Sequence, residues 1–229
     1  MESSERLLVD PDITLREEDH VYLLASDPSQ TFTSCTTFIK KFFNEFDAVG
    51  VATKLTSCVP KYRGVTVDQL IESWNDIGKM GTKIHAEIED WIISGKEPIE
   101  IKAKGGVEYI KRYIDTGEWE IIPELILYHK DLKLAGSIDV ALRHKTDRRI
   151  ILLDWKTNEK IPRKAFRANM RGIHPVTRDL PDCKFTAYSL QLSMYKYLLE
   201  TYYDYAVDTC AIVQLLANGT VNTMKTDDL

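Results

Sequence analysis

Between Trp119 and Lys156 the chain passes through three apolar stretches, Trp119–His129, Leu134–Arg143 and Arg149–Lys156, each rich in Ile, Leu and Val. Runs of that length and composition read as strands. Only the polar stretch His144–Arg148 separates the second from the third, which predicts an antiparallel hairpin. Side chains alternate along a strand, so Asp154 and Lys156 share a face. Folding the chain back at that turn sets Asp139 opposite Asp154, within about one residue of register. Two carboxylates and an ammonium then meet at one spot of an otherwise apolar sheet. Ionised groups in such a place are costly unless they are paired or hold a metal.

The flanking sequence predicts what covers this sheet. Ile13–Leu15 and Val21–Leu24 enclose the polar turn Arg16–His20 and read as a small hairpin. Thr33 or Ser34 is placed to cap a helix running through Phe46, with Phe38, Ile39, Phe42, Phe43 and Phe46 at helical spacing. Residues 47–67, with Pro60 and Gly64, read as irregular. One helix is expected over Val67–Asp76. After Gly78 and Gly81 a second is expected over Thr82–Ser94, ended by Gly95, and a third over Gly105–Asp115. Beyond the strands, Tyr188–Tyr202 reads as a helix. Thr209–Ala217 and Thr220–Lys225 read as strands joined by the Asn218-Gly219 turn. This order predicts an α/β or α+β fold with a central mixed β-sheet flanked by helices. A single domain over residues 1–229 is expected, with a hairpin and helices over 1–80 and a core over 81–217. A basic insert over 160–185 interrupts that core.

Composition narrows the class. At 229 residues the chain suits one domain with a sizeable core. No apolar run is long enough to span a bilayer. The acidic opening, Met1–Asp10, lacks the basic start and apolar stretch of a secretory signal. An intracellular protein is expected, cytoplasmic, nuclear or organellar, and not membrane-bound. The cysteines are Cys35, Cys58, Cys183 and Cys210, with no Cys-x-x-Cys among them. No zinc-ribbon or iron–sulfur cluster is expected, and reduced thiols suit such a compartment. The net charge of −5 weighs against nucleic acid as a partner. Yet Lys160, Arg163, Lys164, Arg167, Arg171 and Arg178 fall within one stretch that has no acidic residue. Such an excess reads either as a solvated loop or as a track for a phosphate backbone.

The cluster Asp139, Asp154 and Lys156 suits phosphodiester hydrolysis. Two carboxylates bind a hard cation such as Mg²⁺, which polarises the phosphate and lowers the pKa of a bound water. The lysine then stabilises charge in the transition state. The plainer reading is a structural Asp–Lys ion pair, and Asp139 across the hairpin is what favours a site. His85, beside apolar Ile84 and Ile88, reads by itself as a packing residue.

Gly136-Ser137-Ile138-Asp139, followed by Leu152-Leu153-Asp154-Trp155-Lys156-Thr157-Asn158, resembles the PD-(D/E)XK nuclease superfamily in its RecB-like, lambda-exonuclease-like branch. Gly81-Thr82-Lys83-Ile84-His85-Ala86-Glu87-Ile88-Glu89 is similar to that branch's helical Gly-Thr-x-x-His segment. Gln191-Leu192-Ser193-Met194-Tyr195 is similar to its Gln-x-x-x-Tyr helix, and Phe32–Phe38 to its Ser-x-Thr opening. Together the matches run from about residue 20 to residue 215, in the family's order. The compact layout, without iron–sulfur cysteines, is similar to the mitochondrial genome maintenance exonuclease type.

The resemblance implies a restriction-endonuclease-like core and a Mg²⁺-dependent deoxyribonuclease, with Mn²⁺ as a substitute. It implies an exonuclease acting on single- or double-stranded DNA ends in replication, recombination or repair. An endonuclease of the same superfamily and an inactive DNA-binding module are the alternatives. It implies Asp139, Asp154, His85 and the Trp155 carbonyl as metal ligands and Lys156 as the catalytic lysine. Glu124 is either the acidic residue some members carry on the first strand or a plain surface residue. Gln191 and Tyr195 are expected to contact DNA, with a core tyrosine as the other reading of Tyr195. Ser34 and Thr36 read either as phosphate donors or as ordinary helix caps. Arg163, Lys164, Arg167 and Arg171 are expected beside the cleft, on phosphates.

Overall fold

The computed structural model describes residues 7–229, so Glu2 and Glu5 of the acidic opening lie outside the described residues. Its elements form a mixed sheet with helices on both faces. The chain opens with an antiparallel ribbon of β1 (Ile13–Arg16) and β2 (Val21–Leu24), paired Ile13 to Leu24 and Arg16 to Val21. The turn between them ends on His20 at φ +55°. The short β3 (Thr33–Ser34) leads into α1 (Cys35–Lys40), α2 (Ala48–Cys58), α3 (Val67–Ser94) and α4 (Ile101–Thr116). Then come β4 (Trp119–His129), β5 (Leu134–His144), β6 (Arg149–Lys156), α5 (Lys184–Tyr202), β7 (Ala206–Leu215) and β8 (Val221–Lys225).

In the sheet β4, β5, β6, β7 and β8 lie side by side, and β3 is hydrogen-bonded to the start of β5. Pairing is antiparallel for β4–β5, β5–β6 and β7–β8 and parallel for β6–β7 and β3–β5. The expected hairpin is therefore present, and α5 lies in the long crossover that a parallel β6–β7 pair requires. One face packs on α5, where Ile138, Leu152 and Ile212 meet Leu192, Leu198 and Leu199. The other packs on α3 and α4, where Val140, Leu153 and Val213 meet Ile84, Ile88 and Ile110. Each such side chain removed from water contributes about 1.5–3 kcal/mol. Among the described residues, no helix is long and apolar enough to cross a membrane.

Several elements differ from the sequence-based expectation. The segment expected to be irregular contains α2, capped by the Asp47 side chain on the Gly50 N–H. Only Ala52 of that helix is buried, so it lacks the apolar stripe by which a helix is read. The two helices expected around Gly78 and Gly81 are one, α3. Thr66 and Gln69 form a complete capping box at its start, and Gly95 closes it at φ +74°. Glycine inside a helix costs about 1 kcal/mol relative to alanine, which does not stop a helix already nucleated and held by Ile84 and Ile88. Helix α1 stops at Lys40 instead of reaching Phe46, whose ring is 66 % exposed and rests on Trp74.

Candidate active site

The site forms where the β5–β6 ladder ends. Val140 pairs with Leu153, and the next step of that register sets Asp139 across from Asp154. No β6 partner follows for β5, and β3 takes up the same strand only at Leu134–Ala135. Gly136–Asp139 thus face a gap between two strands. In that gap the Asp139 carboxylate takes the place of a strand partner, accepting the Trp155 N–H at 2.6 Å. The alternation of β5 slips here. Ile138 lies in the α5 core and Val140, two residues on, lies in the α3–α4 core.

Strand β4 brings the second carboxylate. Its ladder with β5 runs Pro123 to Val140 and then Leu125 to Ile138, passing over Glu124. Glu124 has φ +43°, a backbone state that costs a non-glycine residue on the order of 1–3 kcal/mol. Its Oε2 accepts the Ser137 hydroxyl at 2.6 Å. Burial, and next the Asp139 charge, push its pKa up to about 8, against the Ser137 hydrogen bond.

Helix α3 supplies His85. Its neighbours Ile84 and Ile88 are core residues, and the continuous helix sets the imidazole beside the gap, with Nδ1 3.6 Å from Asp139 Oδ2. One ligand atom each from His85, Glu124 and Asp139 lie within 4.8 Å of one another. This group forms the floor of a cleft of about 680 Å³, which Lys156, Asn158, Gln191 and Thr36 also line.

Asp154 and Lys156 form a tight pair behind this group. Asp154 is 3 % exposed, and its Oδ2 lies 2.5 Å from Lys156 Nζ. The two form a close, buried ion pair. Burial pushes the Asp154 carboxyl up, and the ammonium pulls it back. For Lys156 burial works against the charge, but Asp154 and Asp139 outweigh it and hold the amine protonated. The Lys156 ammonium also lies 4.7 Å from the centre of the Tyr188 ring, a favourable cation–π contact.

The structure therefore gathers His85, Glu124 and Asp139 into one group and places Lys156 at the same cleft. Asp154, expected beside Asp139 as a ligand, is across the register from it but buried against Lys156. For Trp155 it is the N–H that meets Asp139, and the ring packs into the α3–α4 core. Gln191 donates to the Tyr195 hydroxyl at 3.2 Å, and both line the cleft. Tyr195 is also a core residue, 2 % exposed. Its ring explains Gly136, where an added Cβ would sit 2.5 Å from the ring. Ser34 caps α1 by accepting the Thr37 N–H at 3.0 Å and bonds the Thr36 hydroxyl. Arg163 stacks on Phe185 at 3.6 Å, and Arg171 donates to the Asp179 carbonyl at 2.9 Å. None of Arg163, Lys164, Arg167 or Arg171 lines the cleft.

Other cleft residues were given no role by the sequence reading. Glu89 lies one turn beyond His85, its pKa raised by burial first and then by Asp90 and Glu17. Glu17 and His20 reach the cleft from the β1–β2 turn. The His85–Glu89 spacing of four was a usable signal; for the turn residues there was none. A second set of contacts clamps the end of β6. Lys102 donates to the Thr157 carbonyl at 2.6 Å, and Tyr188 donates to Asn158 Oδ1 at 2.7 Å. Gln214 donates to the carbonyls of Asn158 and Glu159. No protein-family model matches the chain, and neither does any curated protein.

Proposed function

We propose that the protein is a metal-dependent nuclease that hydrolyses DNA phosphodiester bonds. It works as an exonuclease at DNA ends in replication, recombination or repair, on a restriction-endonuclease-like core of the RecB-like kind. The observation that carries this reading is the meeting of His85, Glu124 and Asp139 at the floor of a cleft that Lys156 also lines. The two carboxylates are hard oxygen donors that suit Mg²⁺, with Mn²⁺ as a substitute, and the imidazole adds one nitrogen donor. Burial, and after it the Asp139 charge, push the Glu124 pKa up to about 8, and a bound cation would relieve the part that comes from carboxylate repulsion.

His85, Glu124 and Asp139 would hold the ion. Bound there, it supplies Lewis-acid polarisation of a phosphoryl oxygen and a water of lowered pKa. The Lys156 ammonium, kept charged by Asp154, stabilises the negative charge that grows on phosphate oxygens during attack. Asp154 thus acts by holding the lysine. The Trp155 N–H fixes Asp139, and Gln191 and Thr36 offer donors that orient the phosphate. The preference for DNA and for ends rests on the motifs Gly136–Asp139, Leu152–Asn158 and Gln191–Tyr195.

The reading is tested with end-labelled linear single- and double-stranded DNA and with circular DNA, in Mg²⁺, Mn²⁺ or EDTA. Wild type and Lys156→Ala are compared, with thermal melts of both. We expect metal-dependent release of short products from linear DNA, reduced at least on the order of 100-fold in the folded variant. Cutting of circular DNA would point to an endonuclease. DNA binding by the folded wild type without cleavage would leave a binding module.

A further inference from the structure

The basic segment between β6 and α5 has two halves of different character. Its second half is docked on the turn that follows α1, at Phe42. The Ile173 N–H donates to the Phe42 carbonyl at 2.8 Å, the His174 and Phe42 rings meet edge to face, and Arg171 bridges to Pro181. Among the described residues, the hydrogen bonds that tie its first half to the rest of the chain lie at its ends. At one end the Phe185 N–H donates to the Pro162 carbonyl, and the Arg163 guanidinium covers the Phe185 ring. At the other the Asp182 N–H donates to the Met170 carbonyl. Between them lies the tip Lys164-Ala165-Phe166-Arg167-Ala168-Asn169.

Phe166 is 91 % exposed. Burying a phenylalanine is worth about 1.5–3 kcal/mol, and here the fold forgoes it more fully than for Ile173 or Val176 of the second half. The ring stands between Lys164 and Arg167. Among the described residues neither of these, nor Lys160, has an ion-pair partner, and no acidic residue occurs from Lys160 to Arg178. An unburied ring flanked by unneutralised cations complements a polyanion that carries unpaired flat rings. A duplex hides its base faces by stacking, whereas a single strand exposes them.

The anchor is close to the cleft. Phe185 precedes Gln191 on α5 by six residues, about 9 Å along a helix. We propose that Phe166, with Lys164 and Arg167, is a base-stacking platform that gives the protein a preference for single-stranded nucleic acid and feeds that strand to the cleft. This rests on the nuclease reading for the cleft's role; its test is made by binding, with cleavage measured separately to tell the two readings apart.

The test measures fluorescence anisotropy of labelled oligo-dT and of a blunt duplex of equal length, in EDTA and across a salt series. The proteins are wild type, Phe166→Ala, Phe166→Trp and the Lys164→Ala, Arg167→Ala double variant. We expect Phe166→Ala to weaken oligo-dT binding by about tenfold, with duplex binding and the salt slope unchanged. Phe166→Trp should restore affinity, and the double variant should lower the salt slope on oligo-dT by about 1.4. Unchanged oligo-dT affinity in Phe166→Ala, an equal loss on the duplex, or no binding of either by wild type overturns the platform. Phe166-dependent binding by a wild type that cuts nothing in Mg²⁺ or Mn²⁺ would uphold the platform and defeat the nuclease reading. Cleavage by a Phe166→Ala protein that binds oligo-dT as wild type does would do the reverse.

Discussion

At the scale of single residues, the site joins groups that resist being together. Glu124 sits in a strained backbone state, half-buried, and faces Asp139. Such a carboxyl binds its proton more tightly in the folded protein than in the unfolded chain. Its folded pKa of about 8 stands above the ordinary 4.5, so the folded state holds the extra proton between those values. Stability from this group is complete below about pH 4.5 and falls as pH rises towards 8. In EDTA, the melting temperature of the wild type should therefore decline from pH 5 to pH 8. Glu124→Gln, which cannot ionise, should decline less. Equal slopes for the two proteins would show that Glu124 ionises as it does in water.

At the scale of elements, α3 is the beam of the site. It begins at the Thr66 capping box and carries Gly78, Gly81, His85 and Glu89 past the cleft before Gly95 ends it. Gly81 has a packing reason, since an added Cβ would lie 3.2 Å from the Thr157 hydroxyl. Gly78 has none, with nothing within 4 Å. Gly78→Ala should thus stabilise the protein by up to about 1 kcal/mol, read as a higher urea midpoint at unchanged slope. A helix broken at Gly78, as the sequence alone suggests, would gain nothing and would lose stability if the glycine had positive φ. Elements with strong periodicity or clean turns were legible. β4 matches the expected Trp119–His129, and β6 matches Arg149–Lys156. Helix α2 was not legible, because its single buried residue leaves no pattern to read.

At the scale of the molecule, the parallel β6–β7 pair forces the chain to leave the site, cross over and return through α5. Gln214 on β7 fixes the point of departure. It is 5 % exposed, bonds the carbonyls of Asn158 and Glu159, and accepts from Asn222 on β8. Removing it takes the partner from the half-buried Asn158 carbonyl and from the exposed Glu159 carbonyl, a loss of about 0.5–1.5 kcal/mol for each hydrogen bond. We expect Gln214→Leu to speed tryptic cleavage between Lys160 and Arg178 several-fold under native conditions, with cleavage elsewhere much less affected. Uniform acceleration at all sites would mean that Gln214 serves global stability instead of this crossover.

The sequence by itself determined β4, β5 and β6, the β5–β6 hairpin and the facing of Asp139 and Asp154, because period-two alternation and a short polar turn leave one register that buries the apolar face. It also placed His85 on a helix and Gln191 four residues before Tyr195. Only the tertiary structure decided which of these groups meet. The skip in the β4 ladder selected Glu124, the end of β6 pairing buried Asp154 against Lys156, and the β1–β2 turn brought in Glu17 and His20. These choices depend on contacts between segments far apart in the chain and on a local break in alternation, and no periodic pattern records either one.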